Sequence, residues 1–254
     1  MKNNLSLSSL GKIFRIESIF KNILVFFPLF LSDRELTVPD IILLISGFLV
    51  FSFMTSVCYA TNNYTDYKKD LVNKLKSNRL ILKKNLIILI NLFLFIFLFF
   101  LFSFTSLFNF YLILYLSLFF FYNYLIKKFF LIDIIFLTSF YIIRLFYGSE
   151  LIDLNISYWF LFFFISLFLI FSIFKRMIQI SANNLKSSSN KIINYSFKNY
   201  SLLKKIVIFS ATFNLSIFIL YLYEVTYPTT FTGFSAPETR YEQNILLLIL
   251  IFIG

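Results

Sequence analysis

An all-α, polytopic transmembrane bundle is the fold class that three observations predict. Whole stretches of about 20 residues carry no charged side chain, the length of helix that crosses a hydrocarbon core. Hydrophobic residues fill 59% of the 254 positions, and the mean hydropathy is +0.85. The apolar runs are continuous instead of alternating, which argues against a β-barrel, the other structure able to satisfy its backbone inside lipid.

The spans follow one another at about 19–31, 41–61, 85–107, 109–126, 129–148, 157–175 and 205–223, and an eighth run opens near Asn244 and stops at Gly254. That run supplies roughly 15 Å of helix, half a bilayer, so about eight spans are expected with the last one incomplete. Residues 1–254 are read as a single integral-membrane catalytic domain lacking its final helix or helices. The short polar segment before Leu10 has no cleavage pattern, so the first span reads as a retained helix and not as a signal peptide.

Charge orients these spans. With the N-terminus inside and the spans alternating, the inner segments carry 20 of the 23 Lys and Arg residues, and 8 of the 12 acids fall outside. The positive-inside rule thus places the N-terminus and the basic loops in the cytoplasm of a cell whose inner membrane holds the protein. The net charge of +11 is one-sided, and topology with contact to anionic lipid accounts for most of it. Nucleic acid is not an expected partner, because these cations stand in loops between spans. The chain has no His and one Cys, Cys58, so internal disulfides, His/Cys zinc sites and a His general base are excluded. Cys58, inside an apolar run, reads as a packing residue.

Four acids stay on the inner side: Glu17, Asp66, Asp70 and Asp133. An i,i+4 pair with Lys21 accounts for Glu17. Asn62, Asn63, Asp66 and Asp70 recur at helical spacing at the end of the second span, on a face that opens toward the cytoplasmic mouth of the bundle. Oxygen donors of this kind suit Mg²⁺, which binds through one or two carboxylates plus substrate phosphates. A solvated helix end with its acids paired to neighbouring lysines explains the same spacing equally well. Asp133 lies one turn into the fifth span, where an ionisable residue points to function. Arg144 follows about three turns later; Asp133 is too distant to pair with it, which leaves Glu150 or the carbonyls of a neighbouring helix as partners. Lys175-Arg176 closes the sixth span, either as snorkelling charges or as a phosphate grip.

The run Asn62-Asn63-x-x-Asp66-x-x-x-Asp70 resembles the NDxxDxxxD motif of the UbiA-type membrane prenyltransferase superfamily. Within it, Lys21-Asn22-Ile23-Leu24-Val25-Phe26-Phe27-Pro28-Leu29-Phe30 is similar to the N-terminal signature of the decaprenyl-phosphate phosphoribosyltransferase (5-phosphoribose synthase) branch. Asn73, Lys74, Lys76 and Arg79 resemble that branch's basic segment, and Tyr122-Asn123-Tyr124-Leu125-Ile126-Lys127 with Asp133 its second motif. Arg144, Gly148, Trp159 and Lys175-Arg176 continue the likeness, which covers about residues 12–180. Asn63 stands where the family has its first motif Asp.

The resemblance implies a bundle of nine helices. It also implies transfer of a 5-phosphoribosyl group from phosphoribosyl diphosphate to a polyprenyl phosphate of the decaprenyl type, for cell-envelope glycan precursors. It assigns Asp66, Asp70 and Asp133 to the catalytic centre, and Asn63, Asp66 and Asp70 to Mg²⁺. It assigns Lys21, Asn62, Asn63, Lys76, Arg79, Tyr124, Lys127, Arg144, Lys175 and Arg176 to the substrates. Two other readings stay open: a prenyltransferase moving an isoprenoid from its diphosphate to an aromatic or other small acceptor, and a non-catalytic transporter or scaffold using Asp133 and Arg144.

Overall fold

The structure, a computed structural model, describes residues 7–30, 37–70, 82–104, 110–129, 131–154, 156, 158–184 and 197–226. Every regular element among them is helical. The α-helices are α1 (Leu7–Phe14), α2 (Val38–Asp70), α3 (Lys84–Phe104), α4 (Phe110–Tyr124), α5 (Ile132–Leu151), α6 (Tyr158–Asn184) and α7 (Phe197–Thr226). Five of them, α2, α3, α5, α6 and α7, are long and apolar enough to cross a membrane. With 15 residues, α4 is shorter and reaches about 22 Å. The eighth run lies outside the described residues.

The first apolar span is helical but not α-helical. Ile16–Phe30 winds as a 3₁₀ helix of 15 residues. A period of three then lines up side chains that an α-helix would spread. Asn22, Val25 and Pro28 are buried in one row, and Arg15, Ser18 and Lys21 form another. Arg15 joins α1 to this segment with a positive φ of 50°, a left-handed turn that a non-glycine residue adopts at a cost on the order of 1 kcal/mol.

α2 starts with a capping box. Asp40 Oδ2 accepts from the Thr37 backbone N–H at 3.0 Å and from its hydroxyl at 2.8 Å, while Thr37 Oγ1 faces the Asp40 N–H at 3.4 Å. Its 33 residues extend about 50 Å, well beyond a hydrocarbon core of about 30 Å. The surplus length carries the Asn62–Asp66 stretch past the apolar run.

α5 is the hub, packed against the 3₁₀ segment, α2, α4 and α6. One core joins α2, α4 and α5 around Phe51, Met54, Tyr115 and Tyr147, and Cys58 is buried in it. Phe51 meets Tyr115 and Tyr147 with ring centroids 5.0 and 5.1 Å apart. A second core joins α5, α6 and α7 around Leu145, Trp159, Phe160, Phe164 and Phe218. Asn214 ties α7 to α6, donating to the Phe163 carbonyl at 3.0 Å and to Ser166 Oγ at 2.5 Å. α3 is mostly exposed, as a lipid-facing helix is, and Asn91 anchors it to α2 by a 2.9 Å bond to Thr61.

The backbones of α5 and the 3₁₀ segment come close together at Gly148. A Cβ there would run into the Val25 carbonyl, which is backbone and cannot swing aside. Gly148→Ala should therefore destabilise the protein by about 2 kcal/mol or more. Gly11, where a Cβ would meet only Ile16 Cδ1 at 3.5 Å, should accept Ala without loss. Thermal unfolding of the two variants in detergent, against wild type, checks both expectations.

Candidate anion-binding cavity

Five elements enclose a cavity of about 300 Å³. Helical periodicity decides which side chains reach it. From α2 come Tyr59, Asn62 and Asp66, and from α4 come Tyr115, Phe119 and Tyr122. From α5 come Leu137, Phe140, Tyr141 and Arg144, and from α6 come Lys175, Arg176 and Gln179. The 3₁₀ segment supplies Ser18 and Lys21 with Glu17 beside them, the turn before it supplies Arg15, and Lys127 enters from the connection between α4 and α5. The polar residues cluster where α2 and α6 end and α5 begins. Leu137, Phe140, Tyr141 and Arg144 continue the wall along α5, and Arg144 stands about 16 Å above Asp133 along the helix axis.

The lining is strongly cationic. Among the described residues, Arg15, Lys21, Lys127, Arg144, Lys175 and Arg176 face the same space as two carboxylates, Glu17 and Asp66. A cavity of this sign draws anions and strengthens their binding, because its protein walls screen charge less than water does.

Asp66 and Asp133, the two motif acids whose side chains are described, are each already held by a cation. Lys127 forms an ion pair with Asp66 and donates to Asn62 Oδ1 at 2.9 Å. Its ammonium also lies 5.7 Å from the centroid of the Tyr122 ring. Asp133 is fully buried and sits behind the wall. Arg176 grips it with Nε on Oδ2 and Nη2 on Oδ1, a two-point pairing that suits the planar guanidinium. Tyr122 OH donates to Asp133 Oδ1 at 2.8 Å and accepts from Arg176 Nη2 at 2.9 Å, and Arg176 Nη1 donates to Gln179 Oε1 at 2.5 Å. The triad of Tyr122, Asp133 and Arg176 thus locks α4, α5 and α6 together.

Arg144, 2% exposed, has a different set of partners. Its Nε donates to Asn22 Oδ1 at 2.8 Å, its Nη1 to the Phe140 carbonyl and its Nη2 to Tyr115 OH at 3.2 Å. Asn22 is turned by its own amide, which donates to Ser52 Oγ at 3.1 Å and Thr55 Oγ1 at 2.9 Å on α2. The rings of Phe51, Tyr115 and Tyr141 stand 5.3–5.7 Å from the guanidinium carbon. Neither partner considered from sequence serves: Glu150 is exposed, and the carbonyl that accepts belongs to the preceding turn of α5 itself.

Of the residues singled out from sequence, Lys21, Asn62, Asp66, Lys127, Arg144, Lys175 and Arg176 line the cavity. Asp133 supports it from behind. Tyr124 is 60% exposed and does not line it; Tyr122, two residues earlier, does. Asn63 is buried and faces the N-terminal segment, accepting from Arg15 and donating to the Ile13 carbonyl at 3.0 Å. Lys76, Arg79 and the side chain of Asp70 lie outside the described residues. Sequence reasoning missed Arg15, Tyr59, Tyr115 and Gln179, and it placed Tyr122 within the second motif while giving the site role to Tyr124. Tyr59 stands one turn before Asn62 and Gln179 one turn after Lys175, so helical spacing was the available signal for both.

The donor set for Mg²⁺ is thin. Among the described residues no three His, Cys, Asp or Glu side chains come together. The cavity offers Asp66 and Asn62, both engaged by Lys127, while Asn63 points elsewhere. The described side chains thus offer a divalent ion fewer open hard oxygen ligands than it prefers. In comparisons with known proteins, no family model and no curated protein matches the chain.

Asp133→Asn leaves Arg176 buried without its counter-charge and should cost about 3 kcal/mol. Arg176→Gln should cost a similar amount. The double variant should lose less than the two singles combined, because neither charge is then left alone. Chemical unfolding in detergent over the four proteins of the cycle measures that coupling.

Proposed function

We propose that the chain is a membrane-embedded transferase of the UbiA type that moves a 5-phosphoribosyl group from phosphoribosyl diphosphate to a polyprenyl phosphate. The observation that carries this reading is the cavity with six cationic side chains and two carboxylates. At an effective dielectric constant near 20, one cation 4 Å from a phosphate charge contributes about 4 kcal/mol before desolvation is counted, so several of them favour a polyanion over a neutral ligand. The volume, about 300 Å³, lies at the small end of ligand pockets and suits a sugar phosphate more than a long chain.

The chemistry needs little beyond charge and position. An oxygen of the acceptor phosphate attacks C1 of the ribose, the C1–O bond to diphosphate breaks, and the electron pair leaves with the diphosphate. The acceptor is anionic at neutral pH, so no strong base is required, in keeping with a chain that has no His. Lys21, Lys175 and Arg15 are suited to neutralise the departing diphosphate, and fixed cations do this without reorganising as the bond breaks. The charge map supports a cavity mouth on the cytoplasmic side, where a soluble phosphoribosyl donor is at hand.

A prenyltransferase reading is favoured by one feature, the row of Tyr115, Phe119, Phe140 and Tyr141 along the deeper wall, which suits an isoprenoid. The two readings differ in which substrate carries the diphosphate. Membranes containing the protein, given radiolabelled phosphoribosyl diphosphate and a polyprenyl phosphate, should form lipid-linked label. Lys21→Ala and Lys175→Ala should each lower the rate by about tenfold, the worth of one charge-assisted contact. No lipid-linked label from wild type would sink the phosphoribosyl reading. Prenylated product from a prenyl diphosphate and an aromatic acceptor would establish the alternative.

A further inference from the structure

We propose that the Lys127 ammonium occupies the place of a divalent cation in this cavity, so that diphosphate is bound without Mg²⁺. The proposal rests on the reading that the cavity takes a diphosphate group. Asn62 Oδ1 and Asp66 Oδ2 are hard oxygen atoms at i,i+4 on one face of α2, the arrangement that would otherwise present ligands to a metal. Lys127 donates to both of them. The ammonium already takes a lone pair of each and brings a positive charge to the point where a metal would sit, so the seat is filled by a cation that the chain itself supplies.

The placement of Lys127 is built. Its connection turns sharply: α4 ends at Tyr124, a single 3₁₀ turn covers Ile126–Lys128, and α5 begins at Ile132. Leu131 accepts a positive φ of 67° to make that start. The ring of Tyr122 backs the ammonium, and the hydroxyl of the same Tyr122 is fixed by Asp133 and Arg176. The side chain of Lys127 is 21% exposed, so the ammonium faces the cavity while it holds Asp66.

Two further observations point the same way. The third donor of the stretch, Asn63, is committed to Arg15 and the Ile13 carbonyl and is turned from the cavity. Asp133 of α5, behind the wall, is matched by Arg176 as Asp66 is by Lys127. Both carboxylates thus serve to seat organic cations, and those cations meet the ligand. A fixed ammonium gives less charge than Mg²⁺ but needs no metal from solution, and Lys is a point charge well suited to a phosphate oxygen.

The experiment uses the full chain in nanodiscs of phosphatidylcholine, with inorganic diphosphate as the probe, in a chelator and in millimolar Mg²⁺. Wild type should bind diphosphate in both, with affinities within about threefold of each other. Lys127→Met should weaken binding in chelator by about 10- to 100-fold, the range for a lost charge-assisted contact. Mg²⁺ should then recover much of that loss, because Asn62 and Asp66 are vacated, and the Asp66→Asn, Lys127→Met double variant should not respond to Mg²⁺. Lys127→Arg, which keeps the charge, serves if Lys127→Met does not fold, and should bind in chelator within about tenfold of wild type. Wild-type binding that requires Mg²⁺ overturns the proposal and leaves the diphosphate reading standing. Undiminished binding by Lys127→Met in chelator also overturns it. No binding by wild type in either condition removes the diphosphate reading itself.

Discussion

A guanidinium cannot be left bare inside an apolar bundle, and meeting that condition for Arg144 organises much of this molecule. Its donors are answered by a side chain on the 3₁₀ segment, a hydroxyl on α4 and a carbonyl of its own helix, and an aromatic ring of α2 faces it as well. One turn further along α5, Gly148 lets the same 3₁₀ segment come into backbone contact at Val25. Residues 144 and 148 are i,i+4 on an α-helix, and their partners 22 and 25 are i,i+3 on a 3₁₀ helix, so two different periods meet at two adjacent points. That two-point lock fixes which row of the 3₁₀ segment is buried and, by the same winding, which row turns Arg15, Ser18 and Lys21 to the cavity.

The cavity then inherits a division of labour. Residues held behind or at the edge of its wall, Asp133 and Asp66, orient cations; the cations face the open space. Burying a carboxylate–guanidinium pair is not a strong source of stability, since desolvation cancels much of the attraction. Here the gain lies in geometry: Arg176 is held by Asp133, Tyr122 and Gln179 and Lys127 by Asn62, Asp66 and the Tyr122 ring, so little side-chain freedom remains to be lost when an anion arrives. Lys21 and Lys175 line the same space and add to its positive field.

The helical class and the positions of the long spans were legible because uninterrupted apolar runs have one physical solution in lipid. The face of α2 carrying Asn62 and Asp66 was legible too, because those residues keep helical spacing up to the end of the run. The direction of Asn63 was not. It sits at a helix surface position where one residue of rotation decides between cavity and N-terminal segment, and that choice is made by Arg15 and Ile13, fifty residues away in the chain. The partners of Arg144 were hidden for the same reason: Asn22 looks like part of an apolar signature until the segment is known to wind with a period of three. Tyr122 against Tyr124 is a smaller case, two positions on opposite sides of one helix, separable only once α5 is in place.

The winding of Ile16–Phe30 also changes how far a short stretch can reach. At about 2.0 Å per residue its 15 residues extend roughly 30 Å, the thickness of a hydrocarbon core, whereas the 15 residues of α4 extend about 22 Å at 1.5 Å per residue. Two segments of equal residue number therefore differ by about 8 Å in length, and counting residues ranks them as equals when their depths are not. The stretched coil trades girth for length: it is slim enough to let Gly148 draw near, and it sets its two ends, Ile16 and Phe30, as far apart as a much longer α-helix would.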